Sequence, residues 1–185
     1  MSNLNKSQAL DLFLSSVERR AFCIAQITTR DREEALDLVQ DSMLKLVQKY
    51  RSRDEEEWGP LFYRILQRRI QDWRRRTWVR NRWRVWYNKA TAEDGGERDD
   101  PIERAADPNV SDLADQMSHK RGVKALQSEL EALPFRQRQA FLLRTWEGFS
   151  VEETARTMGC SAGSVKTHYS RAVHVLRERL KGYKP

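Results

Sequence analysis

An all-α chain of two small helical domains is predicted by three observations. Apolar residues recur at three- and four-residue spacing through nearly every long segment, as the buried face of an amphipathic helix requires. Helix-start signatures precede several of these segments, at Asp31 with Glu34, at Ser150 with Glu153 and at Ser161. The periodicity fails over residues 91–117. There Glu93, Asp94, Glu97, Asp99, Asp100, Glu103, Asp107, Asp112 and Asp115 crowd around Gly95, Gly96, Pro101 and Pro108. That composition reads as a flexible acidic linker. The expected layout is an N-terminal domain over residues 1–90, the linker over 91–117, and a C-terminal helix-turn-helix domain over 118–185.

The first helix is expected over residues 7–28, where Leu10, Phe13, Leu14, Val17, Ala21, Ile24 and Ala25 keep to one face. A second follows the Asp31 cap, with Ala35, Leu36, Val39, Met43, Leu46, Val47 and Tyr50 as its core stripe and Asp37, Gln40, Asp41, Lys45 and Gln48 opposite. Residues 51–59 are charged and read as irregular. Pro60 suits the first position of a third helix, where its missing N–H has no partner to lose. Leu61, Phe62, Ile65, Leu66, Ile70 and Trp73 form that helix's core stripe. Its polar face carries Arg64, Arg68, Arg69, Arg74, Arg75, Arg76, Arg80, Arg82, Arg84 and Lys89 against Asp72 alone, with Trp78, Trp83, Trp86 and Tyr87 interleaved. Cations among aromatic rings suit single-stranded nucleic acid, because unpaired bases stack on rings while Arg neutralises the backbone. Trp73 falls on the core stripe.

In the C-terminal half, Val123, Leu126, Leu130 and Leu133 mark one support helix, Pro134 ends it, and Phe135 to Trp146 continue the apolar pattern. Ser150 and Glu153 open a short helix that Gly159 closes. Ser161 caps a longer one whose stripe is Val165, Tyr169, Ala172, Leu176 and Leu180, with Gly182 beyond its end. Two helices joined by a tight turn make a helix-turn-helix. The remaining face of the second helix offers Lys166, Thr167, His168, Ser170, Arg171 and His174, side chains able to reach phosphates and base edges in a major groove.

The 185 residues carry 34 Lys and Arg against 27 Asp and Glu, a formal charge of +7, which favours a polyanionic partner. No segment approaches the ~20 apolar residues of a membrane span, and the N-terminus has no apolar secretory run, so a cytoplasmic chain without direct membrane insertion is expected. Cys23 and Cys160 stand far apart without companion ligands and read as thiols. Phosphate-binding loops, dinucleotide fingerprints and metalloprotease motifs are missing. The three histidines, His119, His168 and His174, lack a nucleophile or carboxylate at a telling spacing. Neither catalysis nor a cofactor is expected.

The run Leu133-Pro134-Phe135-Arg136-Gln137-Arg138-Gln139, then Glu147 to Ala155, then Gly163-Ser164-Val165-Lys166-Thr167-His168 and Ser170-Arg171-Ala172, resembles the C-terminal domain of bacterial RNA polymerase sigma factors. The likeness is closest to the extracytoplasmic-function group. Taken alone, Gly163 to His168 is also similar to the output domain of LuxR-type regulators. Asp37-Leu38-Val39-Gln40-Asp41-Ser42-Met43-Leu44-Lys45-Leu46 resembles the sigma segment that docks on the polymerase clamp. Leu61-Phe62-Tyr63-Arg64-Ile65-Leu66, running to Asp72 and Arg74-Arg75-Arg76, resembles the helix that captures the opened minus-ten strand. The chain departs from that pattern at Arg68, where the family often has Asn, and near Leu61, where it often has Trp.

The resemblance implies a promoter-specificity subunit that binds core RNA polymerase at clamp and flap and meets promoter DNA, with an anti-sigma factor as a further partner. It assigns Asp37, Gln40, Asp41 and Lys45 to polymerase. It assigns Arg64, Arg68, Arg69, Asp72, Trp73, Arg74, Arg75 and Arg76 to the minus-ten strand, and Ser161, Ser164, Lys166, Thr167, His168, Ser170 and Arg171 to the duplex minus-thirty-five element. Read without the resemblance, a dimeric helix-turn-helix regulator and an RNA-binding protein remain open.

Overall fold

The structure, a computed structural model, describes residues 3–91 and 115–181, with side-chain environments for 6–80, 82 and 122–181. Among the described residues all regular structure is helical. The segment expected as an acidic linker lies almost wholly outside them, as do Gly182 and the side chains of Trp83 and Trp86.

Helix α1 spans Asn3–Thr29 and buries Leu10, Val17, Ala21, Ile24 and Ala25. Helix α2, Arg32–Tyr50, opens at Asp31, whose carboxylate accepts from the N–H groups of Glu33 and Glu34. The reciprocal half of the expected capping box is supplied by a neighbour: Thr29 Oγ1 accepts the Asp31 N–H at 3.3 Å.

Helix α3 spans Glu55–Thr91, so it starts five residues before the expected Pro60. Trp58 explains the difference. Its side chain is only 1% exposed, and its ring lies 5.9 Å from Phe13, which in turn meets Phe62 edge-on at 6.3 Å. Burying such a ring is worth about 3 kcal/mol or more, against about 1 kcal/mol net for the backbone hydrogen bond lost at Pro60. Glu55, Glu56 and Glu57 also meet the positive end of the helix.

In the C-terminal half, α4 spans Asp115–Ala132 and α5 spans Phe135–Phe141. A π-helical turn, Leu142–Trp146, follows directly. Helices α6, Val151–Met158, and α7, Ala162–Arg179, complete the fold.

The two halves also pack on each other. One buried apolar cluster runs from Leu10 on α1 to Leu176 on α7. Helix α3 packs on α6 as well as on α1 and α2, and α1 also touches α4. Two units this small cover more of their apolar surface together than apart.

Candidate nucleic-acid interface

The helix-turn-helix is set by its caps. Ser150 Oγ accepts the Glu153 N–H at 3.1 Å while Glu153 Oε2 accepts the Ser150 N–H at 2.7 Å, which completes the capping box. The Ser150 N–H, and then its hydroxyl, hold the Glu153 carboxyl below its ordinary value. Gly159 ends α6 at φ 63° and ψ 46°, a left-handed conformation strained for any residue with a Cβ. Ser161 then caps α7, accepting the Ser164 N–H at 3.1 Å.

Val165, Ala172 and Leu176 fasten α7 to the core. Tyr169 pins it further: its ring stacks on Phe141 at 6.3 Å, its hydroxyl meets Thr145 Oγ1 at 3.2 Å, and the Arg144 guanidinium lies 5.7 Å from its centroid. Lys166, Thr167, Ser170, Arg171 and His174 are left on the exposed face. His168 is half-buried, with Nδ1 unpartnered. Three expected hydroxyls are engaged locally. Thr167 Oγ1 donates to the Gly163 carbonyl at 3.0 Å, and the Ser161 and Ser164 hydroxyls lie 2.9 Å apart.

The expected strand-binding residues on α3 divide into two groups. Arg64, Arg68, Asp72, Arg75 and Arg76 are exposed. Arg69 is half-buried and pairs with Asp41 on α2 at 2.5 Å, so one ion pair joins the expected strand site to the expected polymerase site. Trp73 packs against the core, with its Nε1 unpartnered. Arg74 is exposed as a residue, but its guanidinium lies 3.9 Å from the Phe135 centroid, and partial burial, with Arg136 nearby, lowers its pKa. Trp78 is 62% exposed, with Arg82 stacked 5.2 Å from its ring. On α2, Asp37, Gln40 and Asp41 are exposed and Lys45 is half-buried.

Sequence reasoning missed the polar seam between the halves. Tyr63 and Gln67, 1% and 2% exposed, sit four residues apart on a face of α3 between the core stripe and the cationic stripe. Gln67 Oε1 accepts from Gln139 Nε2 at 2.6 Å, and Phe149 meets the Tyr63 ring edge-on at 5.5 Å. The π turn delivers Glu147 to this seam. The Glu147 N–H reaches back to the Leu142 carbonyl, Gly148 takes φ 71°, and Arg144 donates to the Phe149 carbonyl.

Glu147 Oε2 pairs with Arg20 Nε at 3.2 Å, and the buried Tyr63 phenol lies beside the same carboxylate. Burial pushes the Tyr63 phenol up, and the adjacent carboxylate pushes it further. Arg138 donates to the Ile27 carbonyl at 3.4 Å; burial, then Arg74 and Arg30, push its pKa down to about 10.

Burial also raises the Glu147 carboxyl above 4.5, outweighing the opposite pull of Tyr63 and Arg20. A raised folded-state pKa means that this stabilisation is complete below the ordinary carboxylate range and is lost as pH climbs through the raised value. The thermal midpoint of the wild type minus that of Glu147→Gln should therefore shrink between pH 4.5 and neutrality. A constant or growing difference would show that burial does not control this carboxyl.

Among the described residues no helix is long and apolar enough to cross a membrane, and no group of His, Cys, Asp and Glu could hold a metal ion. What the geometry offers is two separate surfaces for polyanions. One is a capped, firmly packed helix with a basic, hydroxyl-bearing face, and the other a long cationic helix with an exposed indole.

Comparison with known proteins agrees with this arrangement. Residues 124–174 match the family pattern described as Sigma-70, region 4. The RNA polymerase sigma-E factor of Streptomyces avermitilis is 40% identical over 80 residues, which make up 43% of each chain; the match thus spans under half the length of that relative. The ECF RNA polymerase sigma factor SigM of Mycobacterium tuberculosis is 28% identical over 176 residues, covering 95% of this chain and 78% of SigM. Among solved structures, the sigma factor RpoE in complex with the anti-sigma factor NepR from Bartonella quintana superposes with a TM-score of 0.58 at 27% identity, over 95% of this chain and 96% of that one. In helical order, in its helix-turn-helix and in these matches, the chain is similar to extracytoplasmic-function sigma factors of the sigma-70 family.

Proposed function

We propose that this chain is a promoter-specificity subunit of bacterial RNA polymerase. It acts in the cytoplasm, performs no chemistry of its own and is held in check by an anti-sigma partner. Asp37, Gln40, Asp41 and Lys45 on α2 meet core polymerase. Helix α7 reads the duplex minus-thirty-five element with Lys166, His168, Ser170 and Arg171, and Thr167 lies beside them. The start of α7 at Ser161 and Ser164 receives a phosphate. The α3 face of Arg64, Arg68, Arg75 and Arg76 holds the melted minus-ten strand, with Arg69, Asp72, Trp73 and Arg74 shaping its edges. Residues 1–90 and 118–185 act as the two DNA-contacting domains, and 91–117 as the tether between them. Opening follows from binding the single-stranded state better than the duplex, which populates the melted form.

The observation that carries this reading is the pairing, in one chain, of an exposed recognition face on α7 with a separate cationic and aromatic face on α3. Purified chain added to core polymerase should give transcription from discrete promoters. A helix-turn-helix regulator would need a sigma subunit already present, and an RNA-binding protein would give no initiation.

Two substitutions probe the assignments. Arg171 is exposed on the open face of α7, so Arg171→Ala should remove about 1–3 kcal/mol of discrimination at particular upstream base pairs. An equal loss on every duplex would make it a phosphate contact. Asp41→Arg should weaken capture of core polymerase while the circular dichroism spectrum is kept. Adding Arg69→Asp restores the salt bridge within the protein but not the lost capture, if Asp41 itself meets polymerase. Recovery in the double variant would assign Asp41 to the fold.

A further inference from the structure

Helix α3 outruns its own core stripe. The last buried residue of that stripe is Ile70, with Trp73 packed beside it, yet the helix continues to Thr91. The chain's surplus charge gathers on this continuation. Residues 73–92 hold six Arg, one Lys and no acid; taking those seven from the 34 basic residues leaves 27, against 27 acidic ones. The whole formal charge of +7 therefore sits on one stretch, and a polyanion is the partner it suits. An anionic membrane surface would ask for cations on one side and apolar residues on the other. Here the two are mixed: Trp78 lies between Arg75 and Arg82, and Val79 lines a groove of about 360 Å³ with Arg75, Arg76 and Arg80.

The order along the helix extends the strand site. Arg64, Arg68, Gln71, Arg75, Trp78 and Arg82 follow one another at steps of four, three, four, three and four residues, which keeps them on one row of the helix surface. That row runs opposite Leu66, Ile70 and Trp73. Gln71 is half-buried and the other five are exposed. From Arg64 to Arg82 the row measures about 27 Å, at ~1.5 Å per residue.

Trp78 is the one ring on the row. It is 62% exposed, and the Arg82 guanidinium over it, 5.2 Å from the centroid, orients the indole without burying it. One face of the ring is left for a second flat partner. An unpaired base supplies such a partner while its phosphates meet the flanking guanidiniums; a base inside a duplex is already stacked on its neighbours.

We propose that this row is a single track for one DNA strand, and that Trp78, with Arg82 beyond it, is a base-stacking station that carries the strand site past Arg75. The occupant is the opened strand already assigned to Arg64 and Arg68. This inference rests on that reading of α3, and the test keeps the two apart.

Binding of mixed-sequence single-stranded DNA to the full-length chain is followed by fluorescence anisotropy. Trp78→Ala should weaken it about fivefold or more, the lower end for one lost stack, with no change in the slope of log affinity against log salt. Trp78→Phe keeps a ring and should recover most of the loss. Trp78→Leu keeps apolar bulk without a ring face and should not. Arg82→Gln should flatten the salt slope by about 0.7, the share of one phosphate contact. Wild-type affinity in Trp78→Ala overturns the station. So does recovery by Leu equal to that by Phe, which would mark an apolar contact in place of a stack. An equal loss on duplex DNA, or a larger one on RNA of the same sequence, assigns the row to another occupant and overturns the proposal as well. A wild-type chain that binds no single strand removes the strand reading of α3, and this inference with it.

Discussion

Trp58→Ala is expected to cost the fold about 3–5 kcal/mol, the range for emptying a buried aromatic site. The ring is 1% exposed and wedged beside Phe13, and Phe62 closes the same cluster at 0% exposure. The first turns of α3 depend on it, because nothing else in Glu55–Gly59 is buried. The loss should therefore appear both as a lower urea midpoint and as a helix that begins near Pro60, detectable by amide exchange over residues 55–60. Trp58→Phe keeps most of the apolar volume and should recover much of the stability. A stability change below about 1 kcal/mol for Trp58→Ala, the scale of an ordinary surface substitution, would mean that the ring is not part of the core.

Replacing Arg64, Arg68, Arg75 and Arg76 together by Gln is expected to leave the fold intact and abolish most affinity for single-stranded DNA. All four are exposed, so no core contact is lost. Each cation that neutralises a single-strand phosphate contributes about 0.7 to the slope of log affinity against log salt. Four contacts removed should therefore flatten that slope by roughly three. An unchanged slope, measured by fluorescence anisotropy on a mixed-sequence oligonucleotide across a salt series, would mark the stripe as merely solvated. Duplex binding through α7 supplies the internal control, since Lys166 and Arg171 are untouched.

The helix caps and the exposed faces of α2 and α7 were largely legible in the chain because their determinants are local. Ser150 with Glu153, Gly159 and Ser161 each act within three or four residues, and the structure forms all of these caps as the spacing implies. The exposed face of α7 follows from its core stripe, since Val165, Ala172 and Leu176 leave only one side for Lys166, Ser170 and Arg171. The same holds for α2, where Asp37, Gln40 and Asp41 lie opposite Leu38, Val39 and Leu46. Trp58 was misjudged because a charged run and a proline outweigh one aromatic residue in any local pattern. Its burial is decided by Phe13 on another helix.

Helical order, caps and the cationic character of α7 and α3 are local properties of the chain, because each depends on neighbours a turn or two away. Tertiary structure alone decided that the two halves share a core, that Arg69 and Arg74 are engaged while Arg64 and Arg68 are open, and that Tyr63, Gln67 and Glu147 are buried. A polar side chain is buried only where another surface covers it and supplies a partner. For Gln67 that partner is Gln139, 72 residues along the chain, and no periodicity connects positions so far apart.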